Sequence, residues 1–262
     1  MTPRAPAVAG LFYPADPARL DASVRGFLGA ATARPASTRP PKAVIVPHAG
    51  YAYSAAIAAS AYREIGAHRA RYTRVVLLGP AHRVALDGIA IPSCDRFGFP
   101  GGEIVLDTTA LDELAAVPGV QVSDVAHAAE HSLEVQLPFL AAVLGNFMLV
   151  PFVVGPCAPA IVADALRAVW GGPETLIVVS SDLSHYLPYT EATAIDRETA
   201  AAIVQRSTRL HGREACGAHA INGLMTVARE RGLDVEMLDV RNSGDTAGDR
   251  TRVVGYGAFS LH

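Results

Sequence analysis

Lysine is nearly absent from this chain: Lys42 stands alone among 22 basic residues, set against 25 acidic ones, and the formal charge is -3 with histidine neutral. Without a basic stripe there is nowhere for a phosphate backbone to be neutralised, which argues against nucleic acid as a partner. Cysteine is sparse as well. Cys94, Cys157 and Cys216 form an odd set that argues against a disulfide framework and fits a reducing compartment, with the cytoplasm as the expected location. Cys94 and Cys157 read as small packed side chains. No apolar run approaches the span of a membrane helix, and the stretch from Ala7 to Tyr13 is too short and too bounded by Gly and Pro for a signal-peptide core.

Apolar residues are plentiful, at 50% against 18% charged, a balance that implies a globular protein with a large interior and little disorder. A length of 262 residues favours one domain over the whole of 1–262, with a core that needs no staples. Asp16-Pro17 reads as a helix start running to about Ala30, and Thr32 to Pro41 as a surface loop. Beyond it, strands are expected over 42–47, 73–79, 147–154, 175–180, 234–240 and 252–260, with extended segments in 88–106. Helices are expected near 54–66, 108–116, 132–144, 158–170, 190–206 and 219–232. Wholly apolar runs such as Thr175 to Val179 suit an α/β sheet covered by helices.

Polar segments sit where the apolar runs stop. His48, His82 and His185 follow the runs Ala43–Val46, Val75–Leu78 and Leu176–Val179, so three strands are expected to carry imidazoles to one sheet edge, where open α/β sheets build their sites. One such histidine alone would read as a hydrogen-bonded turn residue; three point to a shared site. With the thiol of Cys216 they suggest a transition-metal centre of at least two His and one Cys, suited to zinc, iron or copper. Gly50 is expected to let the chain turn sharply after His48.

Asp182 either orients His185 or caps the local turn, and His185 is either an acid and base near neutral pH or a free surface residue. Cys216 precedes a helix expected to begin near His219 or Ala220, whose N-terminal field would lower the thiol pKa; the alternatives are an inert packed thiol, or a nucleophile with His185 or His219 as base. Glu130 and His131 open the helix of Leu133, Leu137 and Leu140, as caps or as groups that hold a ligand imidazole in one tautomer. His68, His127, His211 and His262 read as solvated or locally satisfied. The Asn242–Asp249 loop lacks a phosphate-cradle pattern and reads as a rim loop.

Together, His48-Ala49-Gly50-Tyr51, Gly79-Pro80-Ala81-His82, Glu130-His131-Ser132-Leu133-Glu134, Ser180-Ser181-Asp182 with His185, and Cys216-Gly217-Ala218-His219 resemble the Memo family, whose prokaryotic members are called AmmeMemoRadiSam system protein B. The likeness runs from Ala9-Gly10-Leu11-Phe12-Tyr13 to Val253-Val254-Gly255-Tyr256-Gly257-Ala258. It implies a mixed, largely parallel central sheet flanked by helices, like class III extradiol dioxygenases. It also implies His48, His82 and Cys216 as metal ligands and His185, beside Asp182, as the pocket acid and base. Tyr51, Glu130, His131 and His219 would support the ligands or line the substrate pocket. Fe(II) is the expected metal, copper the alternative and zinc behind both.

Where those dioxygenases carry a carboxylate ligand a thiol stands here, which softens the site. The expected activity is an O2-dependent oxidoreductase acting on an unidentified small molecule; the rival is a non-catalytic copper- or iron-binding or redox adapter protein that binds a peptide or protein. The family also implies a functional link to a radical SAM protein and an AMMECR-type protein. Animal relatives are tied to phosphotyrosine peptides, but this chain offers no Arg cluster for such a ligand.

Overall fold

Short, wholly apolar strands need helices on both faces of their sheet, and a computed structural model describing residues 3–31 and 38–262 has that layering. The strands are β1 (Ala43–Val46), β2 (Arg74–Pro80), β3 (Ile89–Ile91), β4 (Arg96–Phe99), β5 (Gly102–Val105), β6 (Val120–Val122), β7 (Met148–Val154), β8 (Thr175–Ser180), β9 (His185–Leu187), β10 (Val235–Asn242) and β11 (Val253–Leu261). The helices are α1 (Pro17–Ala30), α2 (Tyr51–Ala67), α3 (Thr108–Leu114), α4 (Asp124–Ala128), α5 (Leu137–Leu144), α6 (Pro159–Ala168), α7 (Tyr189–Val204) and α8 (Ala218–Glu230).

Among the described residues, nine strands share one sheet in the order β10-β11-β1-β8-β2-β7-β3-β6, with β9 also on β11, while β4 and β5 form a separate hairpin. The centre β1-β8-β2-β7 is parallel. Antiparallel pairings of β3 with β7 and of β11 with β1 and β10 make the sheet mixed. Val44, Ile45, Leu77, Leu78, Ile177 and Val178 are completely buried, and each such side chain contributes roughly 1.5–3 kcal/mol.

This order positions the site. Because β8 lies between β1 and β2, with Val46 beside Ser180 and Leu78 beside Val179, the segments after all three strands leave the same edge next to one another.

Several elements differ from expectation. The helix expected over 132–144 begins only at Leu137. Residues 134–136 make a 3-10 turn, because Ser132, Glu134 and Gln136 spend their side chains on distant backbone and side-chain partners and Pro138 fits the first helical turn. The 88–106 segment resolves into β3 and the β4–β5 hairpin, and β6, β9 and α4 are too short to have left a periodic signal. Residues 32–37 of the expected loop lie outside the described residues. No helix among the described residues is long and apolar enough to cross a membrane.

Candidate metal centre

His48 leaves β1 and His82 leaves β2, and their rings meet edge to face with centroids 5.2 Å apart. A third imidazole completes the group: His131 stacks on His82 at 4.6 Å and lies 5.5 Å from His48. One ring nitrogen from each residue lies within 4.8 Å of the other two, a spacing that lets three imidazoles face one ion. His131 arrives because its loop packs directly on β2. A Cβ at Gly79 would meet Ser132 Oγ at 2.6 Å, and Ser132 Oγ donates to the Pro80 carbonyl at 3.0 Å.

Hydrogen bonds fix the tautomers of two of these rings. Ser180 Oγ donates its one proton to the Ser132 carbonyl at 2.6 Å and accepts from Gln136 Nε2 at 2.8 Å. His48 Nδ1, 3.0 Å from that hydroxyl, must therefore be the donor, which leaves Nε2 with a free lone pair. Gln136 is held in turn by Tyr62, whose hydroxyl donates to Oε1 at 2.8 Å. His82 Nδ1 donates to Glu130 Oε1 at 2.9 Å, which places the lone pair of the neutral ring on Nε2. Oriented imidazoles of this kind are the usual setting of metal ligands.

Glu130 anchors the second ring. Besides the His82 imidazole, its oxygens accept from the backbone N–H groups of His82 at 2.6 Å and of His131 and Ser132 at 2.9 Å. Burial alone would raise its pKa, but the bonds from His82 and Ser132 prevail and hold it at about 2. His131 Nδ1 lies 3.3 Å from the same carboxylate without the alignment of a hydrogen bond.

Cys216 stands beside the imidazoles, with Sγ 3.3 Å from His48 Nε2. The helix behind it begins at Ala218 with Gly217 as cap, but the thiol pKa is not lowered as expected. Burial, with the Asp182 carboxylate nearby, pushes it up to about 12, so this is no activated nucleophile in the metal-free state; ligation to an ion would reverse the sign of that effect. Gly217 allows the approach: a Cβ there would meet Ser181 Cβ at 2.7 Å.

Asp182 is buried and accepts from the His48 backbone N–H at 2.7 Å, so its carboxylate caps the turn that carries His48. Burial raises its pKa to about 7. His185 begins β9, half-buried, its pKa lowered by burial. Tyr51 is a core residue whose hydroxyl donates to the Val135 carbonyl at 2.9 Å, and His219 directs Nδ1 to the Cys157 carbonyl at 3.0 Å. Gly50 has an ordinary φ of -54°, so the turn after His48 does not need its freedom.

Burial drives the pKa of His127 and His131 down to about 4, and that of His48 falls in the same direction. An unfolded chain takes up these protons near 6.5. Stability that the neutral rings confer at pH 7 is therefore lost as pH falls from about 6.5 to about 4, by about 3 kcal/mol for each shift of this size. Asp182 opposes them, losing stability as pH rises from about 4 to about 7, and Asp196, also raised by burial, acts in the same direction, but these two work against four lowered imidazoles, His185 included. The urea midpoint of metal-free protein is expected to fall markedly between pH 7 and pH 5; a flat profile would mean that the rings are charged in the fold.

Sequence reading missed the clamp beneath the site. Buried Glu134 accepts from Arg4 Nη1 at 2.8 Å, the backbone N–H groups of Ala7 at 2.7 Å and Val8 at 2.9 Å, and the Tyr13 hydroxyl at 2.5 Å. Arg4 also donates to the carbonyls of His127 and Glu130, both at 2.6 Å, and Phe12 packs on His131 with centroids 4.7 Å apart. The available signal was a charged residue, Glu134, set between Leu133 and Val135.

Known proteins resemble this chain over nearly its whole length. The family model described as Memo-like protein matches residues 4–260. A MEMO1 family protein of Aquifex aeolicus is 34% identical, with 98% of each chain covered; one from Aeropyrum pernix is 35% identical over 98% of this chain and 99% of its own. Among solved structures, an uncharacterized protein from Escherichia coli K12 covers 84% of this chain and 99% of its own at 13% identity and a TM-score of 0.51, a likeness of fold.

Proposed function

The chain belongs to the Memo family, and from that membership we propose that it is a metal-dependent oxidoreductase whose ion is held by His48, His82 and Cys216, with His131 in reach as a further donor. The observation that carries this is the pair of oriented rings, His48 and His82, whose Nδ1 atoms are engaged by Ser180 and Glu130 so that Nε2 is the ligand atom of each, beside a thiol and a third imidazole. Mixed imidazole and thiolate donors admit zinc, iron or copper, and it is the family resemblance that puts Fe(II) first, copper next and zinc behind both. When bound, such a metal supplies a Lewis acid and a template for reaction of O2 with a small molecule. Glu130 and Ser180 keep the ligand rings turned, and His185, neutral at the rim, accepts a proton from substrate and returns it.

Metal content tests the site: protein purified without oxygen should carry near-stoichiometric iron or copper, lost in His48→Ala, His82→Ala and Cys216→Ser alike. The thiol leaves a separate signature. His48 and His131 are already neutral at pH 7, whereas the thiol is protonated, so ligation by the thiol should release about one proton per ion more than the same ligation in Cys216→Ser. A metal-free wild type that binds nothing on reconstitution would remove the reading.

One observation favours the adapter reading. His48 is 2% exposed, and two concave surfaces lie away from the imidazoles, between α7 and β10 and along α1, α2 and β10. Oxygen uptake across a small-molecule panel separates the two. Substrate-dependent uptake that is lost in His185→Ala with metal retained supports the enzyme, and none in loaded wild type supports the adapter.

A further inference from the structure

The residue after His185 holds a conformation that its side chain does not favour. Tyr186 has a φ of 59°, in the left-handed region that glycine enters freely and a bulky side chain enters only at a cost. Core packing does not force it there, since the residue is 62% exposed. Strain kept at an exposed position beside a site histidine points to recognition rather than to packing.

The neighbours of Tyr186 tie it to the metal centre. Its ring meets that of His185 edge to face, with centroids 5.9 Å apart. Tyr256, buried on β11, lies within electrostatic reach of Tyr186 and also of Asp182, the carboxylate that caps the His48 turn. Over the Tyr186 ring stands Arg252, its Cζ 5.3 Å from the centroid. Arg241 and Arg167 are paired with Asp239 and Glu230, whereas the Arg252 guanidinium has no carboxylate within ion-pair distance among the described residues. A guanidinium held against an aromatic ring keeps its N–H edge outward, in a planar fork that matches a carboxylate. Phosphate is served less well, because the lone lysine that could add charge, Lys42, is bound to the carbonyls of Trp170, Gly172 and Thr175.

We propose that Tyr186 and Arg252 are the specificity-determining residues of the metal centre, and that its substrate is a small molecule bearing a carboxylate. The assignment rests on the reading of His185 as the proton carrier. Arg252 takes the carboxylate, the Tyr186 ring holds the guanidinium in place, and the rest of the molecule lies along His185.

The test titrates the full chain, metal-free and again loaded with zinc, with cyclohexanecarboxylate, cyclohexylmethanol and methyl phosphate, following the NMR signals of the His185 and Tyr186 rings. Cyclohexanecarboxylate should give saturable shifts of both rings in either form, with the alcohol weaker by roughly tenfold or more. Arg252→Gln should weaken the carboxylate roughly tenfold, as loss of a charge-assisted fork does. Tyr186→Gly should weaken it severalfold while leaving the urea midpoint unchanged or raised, because glycine relieves the left-handed backbone; a loss of binding is then not a loss of folding. Binding to the metal-free chain keeps this result apart from the metal reading, which stands or falls on metal content. The assignment is overturned if the carboxylate binds only with zinc present and ignores Arg252→Gln, if the alcohol binds as tightly, if methyl phosphate is preferred, or if no probe moves the two rings.

Discussion

Replacing Glu130 by glutamine is expected to weaken metal binding by about 10- to 100-fold, the usual cost of losing the carboxylate behind a ligand imidazole. Four N–H groups converge on its two oxygens: the imidazole and backbone of His82, and the backbones of His131 and Ser132. An amide offers one oxygen and one NH2, so whichever way it turns, a donor meets a donor. With the NH2 toward His82 Nδ1, the ring must hand its proton to Nε2, and the lone pair meant for the ion is gone. Side-chain volume is unchanged, so the fold should persist. Chelator competition on wild type and Glu130→Gln measures the effect, and equal affinities would remove Glu130 from the support of His82.

Glu134→Ala is expected to lower the unfolding free energy by about 3–5 kcal/mol, the range for breaking a buried pair and stranding its partner charge. Arg4 would keep its guanidinium buried, with side chains 6% and 0% exposed on the two sides of the pair, while the N–H groups of Ala7 and Val8 and the Tyr13 hydroxyl would lose their acceptor. Removing both charges should hurt less: Arg4→Met with Glu134→Leu leaves no unpaired ion, and its deficit should fall short of that of the single variant. Urea unfolding with linear extrapolation checks both. A loss below about 1 kcal/mol for Glu134→Ala would mean that water reaches Arg4 once its partner is gone, as at a surface pair.

The parts of the site that lie at strand ends were legible because an apolar run that stops at a polar residue announces a sheet edge. His48 and His82 were readable in this way, and so was the role of Glu130 in holding an imidazole. His131 was placed beside them but not as a facing ring, since its position depends on how closely its loop packs on Gly79, a contact no local pattern encodes. Tyr51 shares a motif with His48, yet α2 begins at that residue and turns its side chain into the core. The acidity of Cys216 was misjudged for a related reason: proximity to a helix start can be read from sequence, but the burial that outweighs it comes from Ser181, Asp182 and His48, which arrive from elsewhere. Short elements such as β9 offered three residues, too few for a period to show.

The clamp on Glu134 also sets an order in time. A ribosome releases Arg4 a full 130 residues before Glu134, and at about 5–20 residues per second the nascent segment waits roughly 7 to 26 seconds for its acceptor. β1 waits longer still, since its sheet neighbours are β8 and β11. During that interval Tyr13 can already pack on Tyr51, but the guanidinium of Arg4 and the Phe12 face that meets His131 have no native partner, so this segment closes beneath the site only after the middle of the chain is made.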